Sequence, residues 1–461
     1  MAQRPRVLRG QRKIIGAFDV VNPNPAGIDA GSKEHWVSVP EDRDAEPVRK
    51  FEAFTEDLYA LAEWLVECRV TTVAIEATGV YWIPLVEVLE KRGINVCLVD
   101  SRSIGKRSKK TDVVDCQWLR QLHTFGLLNG AFRPAEDMLP LRAYQRQRQT
   151  LVDGAADYIR RMQKALELMN LKLNTVLSDI TGKTGMQIIE AILDGKRDPM
   201  ELAKLRDPNC KNSTETIAKA LFGNYRDEHV FALRQSHELF RVYQEKIAEC
   251  DQKTEEALKE FASKAPGVVP QTKEKSKKSR RKNQPHFDGR ELLHQTVGVD
   301  LVAVDGFDVS TVLKIASETG MTLDGFDTSG EFVSWLRLAP NNRISGGKHL
   351  RQRGPKIRPN RATQAFLLAG QSLARAQSWL GAFFRRIQRR HGFAVAVRAT
   401  AGKLARIFYA MIKNKTEYRA PETNYYEQRY QEQLLSSWDK RARNFGFMLV
   451  PIQEAPTTTP S

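Results

Sequence analysis

Two runs of apolar residues recur at steps close to 3.5 in the middle of the chain, and they constrain the fold more than any other feature. The first passes through Tyr144, Leu151, Ala155, Tyr158, Met162, Ala165, Met169 and Val176. The second passes through Leu233, Phe240, Tyr243, Ile247, Cys250, Ala257 and Phe261. A stripe of that period runs along one side of a helix and has to be covered by a partner. The spacing predicts two long coiled-coil helices separated by a smaller helical insert, although ordinary helix packing in a globular domain satisfies the same pattern. In both cases residues 140–262 act as a spacer or assembly element, because they carry no convincing chemistry.

The pattern upstream is different. "AGIDAG" leads into "HWVSV", and "VRKFEAF" reads as a further strand. "DLYALAEWLVECR" has helical spacing, "TTVAIEAT" is a short apolar strand, "YWIPLVEVLEKRG" is a helix closed by Gly93, and "INVCLVD" is another strand. "TDVVDCQWLRQLHTFG" opens a last helix, with Thr111 as N-cap and Gly126 as its stop. Strands alternating with helices predict an α/β domain with a mixed sheet covered by helices.

The 461 residues allow two to four domains. The expected order is a basic lead-in (1–25), the α/β domain (26–139), the helical middle (140–262), a basic linker (263–289), a compact all-α domain (290–418) and a polar tail that frays (419–461). The linker, "SKAPGVVPQTKEKSKKSRRKNQPHFDG", is bounded by Pro and Gly and reads as a disordered tether that adds phosphate attraction.

Charge narrows the partner. Lys and Arg total 72 against 55 Asp and Glu, and from Phe332 to Thr416 there is no acidic residue against 18 basic ones. Solvated surfaces intersperse both signs, so such a stretch points to a polyanion, nucleic acid before membrane. Cys68, Cys97, Cys116, Cys210 and Cys250 form no C-x-x-C spacing, which argues against structural zinc and a disulfide framework. No apolar run reaches membrane-spanning length and no secretory leader is evident, so a soluble, cytoplasmic protein is expected.

Four carboxylates stand out against this charge. Asp29 lies in the first strand, where aspartate is disfavoured, and Glu76 ends an apolar strand. Asp112 and Asp115, three apart, share one helical face. Such a set suits Mg²⁺, which takes oxygen ligands and keeps positions open for water and phosphate. Two such ions bracket the attacking and leaving oxygens of phosphoryl transfer. Aspartates in a first helical turn also favour the helix dipole, a reading that accounts for Asp112 and extends to Asp115. Spacing does not separate Asp100, at another strand end, from the other four.

Downstream, "RISGGKHLRQRGPK" places Ser345 before two glycines that permit close backbone approach. Arg343, Lys348, Arg351 and Arg353 are placed to hold phosphate around it, and Lys356, Arg358 and Arg361 extend the same basic run. S-G-G alone is a turn motif. Ser334 and Ser372 read as helix positions, and Trp335, Trp379, Phe383 and Phe384 read as core. The eight histidines show no metal-ligand spacing.

"GIDAGSKEHWVSV", "VAIEATGVYWIPL", "KKTDVVDCQWL", "WLRLAPNNRISGGK" and "NRATQAFLLAGQSL" together resemble the DEDD-type transposases of minimal insertion sequences, recombinases guided by a bridge RNA. The resemblance covers roughly 26–130 and 290–415, with both halves in order. It implies a Holliday-junction-resolvase-like, ribonuclease H-like first domain, a coiled coil and a small helical transposase domain. It also implies an acidic tetrad of Asp29, Glu76, Asp112 and Asp115 that holds Mg²⁺, and Ser345 as the nucleophile that links covalently to DNA. The implied partners are double-stranded donor and target DNA, a structured guide RNA, and further copies of the chain in a dimer or tetramer. The sequence departs from the family where Cys116 replaces a usual Ala, where the basic linker is long, and where "TVGVDLVAVDGF" only approximates a helix-hairpin-helix. Two rivals share the composition: a metal-dependent junction nuclease that uses water, and a scaffold that binds nucleic acid without cleaving it.

Overall fold

The computed structural model describes residues 19–77, 79–100, 104, 111–264, 283–340, 344–345, 348–349, 359–421 and 423–450. The chain divides into two compact units, Met1–Arg133 and Pro134–Ser461.

The first unit is built on a five-stranded sheet: β1 (Pro25–Ala30), β2 (Glu34–Ser38), β3 (Val48–Glu52), β4 (Thr72–Glu76) and β5 (Asn95–Val99). Its order is β3-β2-β1-β4-β5. β2 is antiparallel to β1 and β3, while β1, β4 and β5 run parallel. Helices α1 (Thr55–Glu67) and α2 (Trp82–Lys91) supply the crossovers. One face of the sheet buries Ala26, Ile28, Val37, Val73, Ile75 and Leu98 against Leu58, Leu61, Leu65, Leu85 and Leu89 of these helices. The other face is covered by α3 (Asp112–Thr124). Thr111 caps α3 as expected, accepting from the Val114 N–H at 3.4 Å, and Gly126 closes it at φ +64°. The elements read from hydrophobic period are therefore present, and the mixed α/β class holds.

The second unit is helical. Its first part pairs α4 (Met138–Leu168) with α9 (Asp227–Lys264). Gln145 Nε2 donates to Thr254 Oγ1 at 2.9 Å, Arg148 Nε to Asp251 Oδ1 at 2.5 Å, and Tyr158 and Tyr243 bring their ring centroids within 5.3 Å. Partner numbers fall on α9 as they rise on α4, so the helices are antiparallel. The first apolar run does not continue to Val176 as one helix. α4 stops at Leu168, Asn170 turns the chain at φ +57°, and the Leu171 N–H donates back to the Leu166 carbonyl. The insert comprises α5 (Leu173–Val176), α6 (Lys183–Leu193), α7 (Pro199–Ala203) and α8 (Thr214–Ala220), and it closes over Met169, Leu171, Ile188, Ile192, Ile217 and Leu221.

Of the basic linker, residues 265–282 lie outside the described residues. The chain is described again at Asn283, whose carbonyl accepts from Arg148, and Asp251 also accepts from the His286 N–H.

The rest of the unit comprises α10 (Gly289–Val297), α11 (Val309–Thr319), α12 (Ser329–Trp335), a short hairpin of β6 (Ile344–Ser345) and β7 (Lys348–His349), α13 (Arg361–Ser372), α14 (Trp379–His391) and α15 (Phe393–Asn414). Phe332, Phe366 and Phe408 form its fully buried centre, stacking and meeting edge-on. Phe384 and Trp379 are buried as core residues, and Ser334 and Ser372 fall on helices, as the spacing implied. α11 is tied to α4 through Glu318, which accepts from Arg142 at 2.9 Å and from Arg146 at 2.8 Å.

The tail does not fray throughout. Thr423–Asn444 forms α16, because it is rich in Gln, Glu, Leu and Arg, all good helix formers, and Asp439 pairs with Arg443 one turn on. Residues 451–461 lie outside the described set. No helix among the described residues is long and apolar enough to cross a membrane.

Candidate active site

Asp29 and Glu76 follow Ile28 and Ile75, which are register partners on parallel strands. The two carboxylates therefore stand at one height on neighbouring strands. Alternation places both away from the α1–α2 core and on the face covered by α3.

The helix seats on that face through small and polar groups. A Cβ on Gly27 would lie 2.3 Å from the Cys116 carbonyl oxygen and 2.4 Å from the Arg120 nitrogen, so only glycine lets α3 approach β1 this closely. At the far end, the Val21 and Asn22 N–H groups donate to the Thr124 carbonyl. Thr72 Oγ1 shares a 2.9 Å hydrogen bond with His123 Nε2. These contacts run α3 antiparallel to β1 and β4.

The height of Asp115 follows. Four strand residues carry β4 from Thr72 to Glu76, about 13 Å. Eight helical residues carry α3 from His123 back to Asp115, about 12 Å. Asp115 therefore comes level with Glu76 and Asp29, and it is buried. Asp112 lies one turn beyond, exposed at the start of the helix. Asp100 lies one position past Val99, the register partner of Glu76 and the last residue of β5.

Asp29 is also close to Cys116. Burial, with the Asp29 charge adding to it, pushes the Cys116 thiol up to about 12, and its Sγ donates to the Val113 carbonyl at 3.2 Å. This thiol is a packing group. All five cysteines are free.

Arg120, His123 and Gly27 of this face were missed from the sequence. Arg120 donates from Nε to Ser38 Oγ at 3.1 Å and puts a half-buried cation one turn below the carboxylates. Gly27 had a usable signal, since glycine inside a strand often marks a close backbone approach.

The donor set is made of carboxylate oxygens, which fits a hard divalent ion. Asp29, Glu76 and Asp115 all have partners within the chain. Among the described residues, no group of three or more His, Cys, Asp or Glu is arranged to hold a metal ion.

Ser345 belongs to the second unit, in β6, where its backbone pairs with Lys348 of β7. Arg343, Arg351, Arg353, Lys356 and Arg358 lie outside the described residues. Arg361 opens α13 and is exposed, next to Asn360, which caps that helix by accepting from the Thr363 N–H at 2.7 Å.

The strand order and directions of the first unit are those of a ribonuclease H-like domain. A transposase family model of DEDD type matches residues 26–171, and a model of the transposase IS116/IS110/IS902 family matches residues 300–385. No curated protein matches the chain. The chain belongs to the IS110-type insertion-sequence transposases, enzymes that cleave and rejoin DNA. Membership makes DNA the substrate and implies dependence on a divalent metal.

Proposed function

We propose that the chain is the transposase of an insertion sequence that breaks and rejoins donor and target DNA through a covalent link at Ser345. The observation that carries this reading is the common height of Asp29, Glu76 and Asp115 under α3, with Asp112 one turn beyond. Those four residues would hold Mg²⁺, which supplies Lewis-acid stabilisation of charge at the reacting phosphate.

In the chemistry, the Ser345 hydroxyl attacks a DNA phosphorus. One serine–phosphate ester forms, one phosphodiester bond breaks, and the released sugar hydroxyl takes a proton. In rejoining, a sugar hydroxyl attacks the serine ester and frees the serine. The number of phosphate esters is unchanged, so no external energy source is needed. The basic run from Arg343 to Arg361 positions the strand by its phosphates. Further elements of the reading are guidance by a structured bridge RNA, action in the cytoplasm, and assembly into a dimer or tetramer through a coiled coil of α4 and α9.

The test is the adduct. Cleaved DNA should migrate with the denatured wild-type protein. Ser345→Ala should lose that adduct while still binding DNA, and Ser345→Cys should retain a trace of it. Cleavage by Ser345→Ala at the wild-type rate with free DNA ends would make the enzyme a nuclease that uses water.

A further inference from the structure

Between the second half of α15 and the strap that follows it, residues 416–421, lies a cavity of about 770 Å³. That size suits a small ligand or one unit of a polymer. Among the described residues, Ser345 does not line it. Among the described residues, its walls include Trp379, Lys403, Ala410, Met411, Tyr418 and Arg419.

Trp379 forms the floor. It is buried, its indole N–H donates to the Tyr418 hydroxyl at 2.5 Å, and the Lys403 ammonium stands 5.8 Å from its ring centre. The strap is pinned from the other side. Lys415 Nζ donates to the Val297 carbonyl at 2.8 Å, and Glu417 accepts from the Asp300 N–H at 3.1 Å and meets His294 Nε2 at 3.2 Å. Glu417 also borders the cavity, but its carboxylate is engaged by these groups. The side chains that reach the surface of the cavity include the Tyr418 ring, Ile407, Pro421 and two cations, Lys403 and Arg419, with Met411 buried beneath them, in a domain whose acid-free stretch ends at Thr416.

We propose that this cavity receives one unpaired nucleotide of a nucleic-acid strand. The base lies against Tyr418 and Ile407, and its phosphate is held by Lys403 and Arg419. A flat apolar wall beside fixed positive charge is the arrangement that recognises an unstacked base on an anionic backbone. Duplex bases are excluded, because they remain stacked within the helix unless extruded. Deoxyribose and ribose strands share this chemistry. The proposal does not depend on the serine mechanism.

The test uses the full-length protein and short single-stranded DNA and RNA oligonucleotides, each carrying one photoreactive thiobase, with crosslinked peptides mapped by mass spectrometry. Ala410 is exposed on the rim, so Ala410→Trp fills the cavity from the solvent side without touching the core. Wild type should crosslink within residues 403–421. Ala410→Trp should lose that crosslink and bind single strands about tenfold more weakly, within the contribution of one stacked base, while duplex binding is unchanged. Lys403→Gln should also weaken single-strand binding and flatten its salt dependence. Tighter binding of the ribose or of the deoxyribose oligonucleotide identifies the source of the nucleotide, and equal binding assigns both. Crosslinks confined to other segments, or wild-type single-strand affinity in Ala410→Trp, would overturn the proposal. Loss of the serine adduct with these measurements unchanged bears only on the proposed function.

Discussion

Thr72 and His123 share a 2.9 Å hydrogen bond that sets the height of α3 on the sheet. The level of Asp115 with Glu76 depends on that height, so a residue with no acid–base task helps to align the carboxylates. Burial keeps the His123 pKa below the ordinary value near 6.5.

That depression gives a pH dependence of defined sign. A histidine held neutral contributes full stability above about pH 6.5. Below that value the unfolded chain takes up a proton that the folded chain resists, so stability falls as pH drops through 6.5 and beyond. His35 and His237 are also lowered by burial, so the His123 contribution is read by difference. The melting temperature of His123→Gln should fall less than that of wild type between pH 7.5 and 5.5. Parallel losses in the two proteins would show that His123 is not one of the responsible groups.

Asp29→Asn and Asp115→Asn should each abolish strand transfer without changing the circular dichroism spectrum or DNA affinity. Asp100→Asn, outside the tetrad, should keep near-normal activity. Wild-type recombination by both tetrad variants, with loss in Asp100→Asn, would move the metal ligand to Asp100.

Gly27→Ala should be costly for a one-carbon change. The added methyl would meet backbone atoms of α3 at 2.3 and 2.4 Å, and forced overpacking costs about 1–3 kcal/mol or more when backbone has to shift. Chemical denaturation should show that loss. Strand transfer should fall further than stability predicts, because α3 carries Asp112 and Asp115.

Nucleic-acid affinity should drop steeply with salt. Each neutralised phosphate contributes about −0.9 to the log–log slope on duplex DNA. With half of the 18 basic residues between Phe332 and Thr416 on phosphate, the slope should be about −8. A nearly flat titration would assign this surface to a protein partner.

Much of the first unit was legible because its signals are local. "TTVAIEAT" is apolar for long enough to be a buried strand, and Thr111 stands where an N-cap belongs. Arg120 and His123 were not legible, because their meaning lies in Ser38, 82 residues away, and Thr72, 51 residues away. The stop at Leu168 was hidden for another reason: Met169 keeps the apolar period while Asn170 turns the backbone. Composition gave Thr423–Asn444 its polar look and masked its helix formers. For Ser345 the sequence alone indicates only a turn, and the two-residue strand it occupies says little more.

The antiparallel course of α4 and α9 has a geometric consequence. The chain leaves along one helix and returns along the other to its starting level, where Gln145 lies beside Thr254. Everything outward from that level is an excursion whose length does not affect its base. Matched deletions of seven residues from each helix would shorten it by about 10 Å and bring the insert inward. The Arg142–Glu318 and Arg146–Glu318 pairs at the root would stay in register. The arm is therefore a ruler that can be cut, and a series of such cuts would measure the span at which recombination stops.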